Sequence, residues 1–110
     1  MTDTTTTANA GRRGGYTVTN DLTLIREIIR LALAPGFVLV GPAQRVLTYQ
    51  PDRGPRIVAA VPKYEADAVA QLLDAGHLRT GGVHTVHYGD HTGTADSVLV
   101  PKATRDMVTR

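Results

Sequence analysis

The sequence predicts a small single α+β domain with its elements in the order α-β-β-α-β-β. Three observations carry that prediction. Residues 21–34 form a long apolar stretch stopped by Pro35-Gly36. Residues 45–61 and 83–100 each read as two β-branched runs around a turn. Between them, Pro62 and Gly76 bracket a second helical pattern. The length of 110 residues suits one domain.

Taken in order, residues 1–15 (MTDTTTTANAGRRGG) offer almost nothing to bury and are expected to be a disordered tail ahead of a domain over 16–110. The first helix should start at Asn20 or Asp21 and end at Ala34, with Asn20 capping and Asp21 complementing the positive helix end. At about 100° per residue, Thr23, Arg26, Glu27, Arg30 and Ala34 share one narrow arc, and leucine, isoleucine and alanine fill the rest. So wide an apolar face marks either the central core helix or one buried on a second side by a partner subunit. Phe37–Val40 is a short apolar strand. Arg45–Gln50 and Arg56–Val61 follow as strands around PDRGP. Alternation groups Arg45, Leu47 and Tyr49 on one face, opposite Val46, Thr48 and Gln50.

The second helix should run from Lys63 to Ala75, with Pro62 at its first position and Gly76 as its left-handed stop. Ala66, Val69, Leu72 and Leu73 form its buried face, and Lys63, Asp67, Gln71 and Asp74 the opposite one. Leu78 should fold back on the helix end. Strands at Val83–Tyr88 and Asp96–Val100 are then joined by GDHTGTA. Pro101 ends the second, leaving room for a short helix over 102–109.

Composition narrows the function. The hydrophobic share of 42% with only 5% aromatics calls for an aliphatic core. Without cysteine, disulfides, zinc–thiolate sites and thiol nucleophiles are excluded. No stretch suits a membrane span or a signal peptide, so no membrane partner is expected and the cytoplasm is the default location. Twelve basic against ten acidic residues give a net charge of +2, too little to demand a polyanion by itself.

No catalytic site is expected. Ser97 is the only serine and lies in strand sequence without an elbow motif. Glycine pairs at 14–15 and 81–82 lack the context of a nucleotide-binding loop. His84, His87 and His91 with Asp90 have the residue types of a divalent-metal site. Strand alternation nevertheless sends His84 and His87 to opposite faces, so neither metal nor cofactor is expected. The turn Gly89–Thr94 combines small residues and hydroxyls that suit phosphate contact, and equally an ordinary hairpin turn.

The run AVAQLLDAGHLR, then a hairpin, then VLVPKATRDMV resembles the second half of a winged helix-turn-helix domain. Val69, Leu72, Leu73, Gly76 and Leu78 match its helix end, and residues 83–100 its wing. The resemblance covers about forty residues and implies a nucleic-acid-associated accessory or regulatory protein acting on double-stranded DNA. Asp67 and Asp74 on the second helix favour the wing over that helix as the reader. The expected contacts are Arg79, His84, His87, His91 and Thr92 from the wing, joined by Arg26, Arg30, Arg53 and Arg56. The alternative is a protein–protein interaction module without catalytic activity, a homodimer or a subunit of a larger assembly, using the apolar first helix or an open strand edge.

Overall fold

The computed structural model describes residues 16–109, so the expected disordered tail and its Arg12-Arg13 pair lie outside the described residues. Three helices and a five-stranded antiparallel sheet make an α+β domain: α1 (Leu22–Leu33), β1 (Phe37–Val40), β2 (Arg45–Tyr49), β3 (Val58–Ala60), α2 (Lys63–Asp74), β4 (Arg79–Tyr88), β5 (His91–Leu99) and α3 (Lys102–Thr109). A 3-10 turn at Pro51–Arg53 separates β2 from β3. No helix of the described residues is long and apolar enough to cross a membrane.

Helix α1 is capped by Asp21 rather than Asn20: its Oδ1 accepts from the Thr23 and Leu24 amides at 3.0 and 3.2 Å. Helix α2 ends as expected. Gly76 takes φ +80, its amide donates to the Leu73 carbonyl at 3.2 Å, and the His77 amide reaches the Leu72 carbonyl at 2.9 Å. That double closure is a Schellman stop, and it turns Leu78 back into the core, where 1% of it remains exposed. Pro62 stands one position earlier than expected, as the N-cap with extended ψ.

The strand order is β3-β2-β1-β5-β4, so the central β1 joins the two hairpins. Val38 pairs with Leu47 on one side and Ser97 on the other. The hairpin β4–β5 is longer than expected. Its loop is only Gly89-Asp90, with Tyr88 paired to His91, and its first strand starts at Arg79. Glycine at the first of two loop positions, with φ +58, is what a type II′ turn requires. Residues 91–95, expected in a loop, extend the ladder instead. In the first hairpin, the strand over 56–61 shortens to 58–60 because Arg56 adopts φ +62.

Both faces of this sheet are buried, which is why β2 and β3 do not alternate cleanly in sequence. Phe37, Leu39, Val46 and Val98 meet α1 and α2 on the convex side, with Ile25, Ile28, Ile29, Val69 and Leu72. Val38, Leu47, Val58, Val86 and Ala95 form a second cluster on the concave side. A flat five-stranded sheet would hold its edges roughly 19 Å apart. Here the edges touch: Ile57 bridges His87 in parallel, and the His87 amide donates to the Arg56 carbonyl at 2.8 Å. The sheet is rolled into a partly closed barrel around the second cluster.

The helices resolve the remaining expectations. Helices α2 and α3 pack on the flanks of α1 and half-bury Leu24 and Leu31, while Leu22 and Leu33 at its two ends stay exposed. The polar face of α2 is only partly open to solvent: Lys63 is exposed, while Asp67, Gln71 and Asp74 are half-buried. The strap Tyr16–Thr19 crosses it, with Tyr16 Oη donating to Asp74 Oδ2 at 2.8 Å. Gln71 exchanges two hydrogen bonds with the Thr19 backbone at 2.8 and 3.0 Å, and Asp67 is paired to Lys63 at 2.7 Å.

Two stability predictions follow from these contacts. Gly54 combines φ +136 with ψ 171, a region essentially restricted to glycine. A Cβ there would also lie 2.9 Å from Ile57 Cδ1, at the seam. Gly54→Ala should cost about 1–3 kcal/mol in denaturant titration. Gly82→Ala, where the nearest atom is His84 Nε2 at 3.9 Å, should be close to neutral.

Burial first, and the nearby Glu27 charge second, raise the pKa of Glu65 on α2. A carboxyl that holds its proton more tightly folded than unfolded weakens the fold as pH climbs from the unfolded value through the raised folded one. Glu65→Gln should therefore raise the Tm at pH 7. The gain should shrink on acidification and vanish below about pH 4, where both states are protonated.

Candidate functional site

Beyond the Ile57–His87 bridge the two sheet edges part, and the opening between them is a cleft of about 570 Å³. One wall is β3 with the end of β2; the other is the tip of the β4–β5 hairpin. Its apolar lining comes from Leu47, Ile57, Val58, Ala59 and Ala60. Arg45, which shares the inward parity of Leu47 on β2, lines it, as does Arg53 from the 3-10 turn. Tyr88 and His91 enter from the hairpin, His87 borders the opening at the seam with its ring on the opposite strand face beside Thr92, and Gln50 adds a neutral polar group. No aspartate or glutamate is among the lining residues.

Local chemistry fixes this rim. The II′ turn at Gly89-Asp90 sets Tyr88 and His91 directly opposite each other, so their rings sit 5.7 Å apart at a 40° tilt. Tyr88 also reaches across the ladder, its hydroxyl 3.3 Å from where a Cβ of Gly93 would stand. A glycine at 93 therefore leaves room for the tyrosine. His87 and Thr92 are cross-strand partners joined by a 3.0 Å hydrogen bond between Nδ1 and Oγ1.

The residues expected to touch nucleic acid do not form one surface. Arg53, His87 and His91 come together at the cleft. Thr92 backs His87 rather than lining the opening. Arg56 is exposed and contributes its carbonyl to the seam. His84 has the inward parity of Ala95, and its ring leans back toward Gly82, away from the tip. Arg79 begins β4, eight residues before His87 and roughly 25 Å away along an extended strand. Arg26 and Arg30 lie on α1 beside a separate groove shared with Asp106 and Met107 of α3. There Arg30 approaches Glu27 at 3.8 Å.

Arg45, Gln50 and Tyr88 were not among the expected contacts. The signal for Arg45 was present in the alternation that groups it with Leu47 and Tyr49. That Tyr88 would join it depends on the rolling of the sheet. Among the described residues no group of three histidines, aspartates or glutamates could hold a metal ion. The cleft gathers two exposed guanidinium groups and an imidazole, groups that suit an anion, beside aliphatic side chains.

No protein-family model matches this chain, and no curated protein or solved structure matches it.

Proposed function

We propose that the protein is a nucleic-acid-associated accessory or regulatory protein that grips the phosphate backbone at the cleft between β3 and the hairpin tip. The observation that carries this reading is the meeting of Arg45, Arg53 and His91 around one opening that no carboxylate lines. Guanidinium groups match phosphate oxygens in a two-point fork and stay charged at every physiological pH. The imidazole beside them donates a further hydrogen bond. The contact is led by the hairpin, as the resemblance to a wing suggests, but by its tip rather than its root. Helix α2 takes no part, because the Tyr16–Thr19 strap lies across its polar face.

The test is a retardation assay on mixed-sequence single- and double-stranded nucleic acid as salt is varied. Two phosphate contacts, from Arg45 and Arg53, predict a loss of roughly 12-fold in duplex affinity between about 50 and 200 mM salt. Arg45→Ala and Arg53→Ala should each weaken binding severalfold and flatten that salt dependence. Arg26→Ala and Arg79→Ala, away from the cleft, should change it less than about twofold. Absence of binding to any nucleic acid at about 50 mM salt would overturn the reading.

A further inference from the structure

We infer that the nucleic acid taken by the cleft is a single strand, with one base seated on the apolar floor against the Tyr88–His91 pair. The inference rests on the proposed backbone-binding role and adds the form of the ligand. Three observations carry it.

The first is shape. The opening holds about 570 Å³ between a sheet edge and a hairpin tip, within the usual range for sites that enclose a small molecule. A single nucleotide unit fits that scale. A duplex, whose major groove alone is about 12 Å across, would reach only the rim and leave the floor empty.

The second is composition. Exposed cations and buried aliphatic groups line the cleft together: Arg45 and Arg53 with Leu47 and Val58. A duplex presents phosphates outward and hides the faces of its bases, so it has no use for an apolar floor. An unstacked base offers both a phosphate for the rim and a π-face for the floor.

The third is the ring pair. Tyr88 is half-buried and anchored over Gly93, whereas His91 is exposed. Their tilted arrangement, centroids 5.7 Å apart, makes an aromatic edge to the cleft. Proteins that hold single strands without sequence preference combine such a platform with a cationic groove.

The deciding experiment compares oligo-dT of twelve nucleotides with a duplex of equal length by fluorescence anisotropy at one low salt concentration. The single strand should bind at least tenfold more tightly. His91→Ala should weaken it by roughly 5- to 150-fold, the span expected for one base–aromatic contact, while costing the duplex, which loses at most one backbone contact, less than about threefold. His91→Phe, which keeps the ring and loses the imidazole, should restore most of the single-strand affinity.

Equal or tighter binding of the duplex would overturn this inference and leave the backbone-binding reading standing. The same holds if His91→Phe is as weak as His91→Ala. Failure of both ligands to bind would remove both proposals together. Circular dichroism of each variant shows whether the hairpin has stayed folded.

Discussion

Everything in this molecule depends on the four residues of β1. Phe37 and Leu39 face the helices, Val38 faces the concave cluster, and the strand pairs with β2 on one edge and β5 on the other. Phe37, Val38 and Leu39 are each at most 3% exposed. Without β1 the two hairpins would share no hydrogen bonds across the middle of the sheet. Its apolarity on both faces is thus a requirement of position, since a central strand between two cores has no solvent side.

Rolling of the sheet around that strand explains why the cationic groups meet where they do. Arg45 and Arg53 belong to the first hairpin and its turn; His87 and His91 belong to the second. They are separated by the whole of α2 in sequence. Only contact between the outer edges, at Ile57 and His87, brings the two sets around one cleft. The same geometry leaves Arg79 at the far end of β4 and keeps Arg26 and Arg30 on the helical side. A chain of modest net charge can still hold a local cationic site when its basic residues are gathered this way.

The helices pack on the sheet and on one another. Helix α1 is apolar around most of its circumference because it lies between α2 and α3 as well as on β-strands. Helix α2 spends its polar side on the Tyr16–Thr19 strap, where Gln71 satisfies the backbone of an otherwise irregular segment. Buried or half-buried backbone needs such partners. Asp67 and Asp74 of this face are thus paired within the molecule, to Lys63 and Tyr16.

The sequence by itself determined the alternation of helices and strand groups, though its α-β-β-α-β-β order left out one of the three strands between the first two helices. It also determined both helix spans to within a residue or two, and the Gly76 stop with Leu78 behind it. Those features follow from local rules: proline and glycine geometry, capping, and helical periodicity. It misjudged the hairpin loop, because Thr92, Gly93 and Thr94 have turn composition yet pair with Thr85–His87 of β4. It also overlooked the closing of the sheet, and with it the partnership of Arg45 and Tyr88. Edge-to-edge contact is a sum of twist and packing over five strands, with no short motif to announce it. Thus the arginines and histidines were legible as candidates one by one. Which of them share a site was decided by tertiary structure alone, since convergence depends on strands far apart in sequence meeting at one seam.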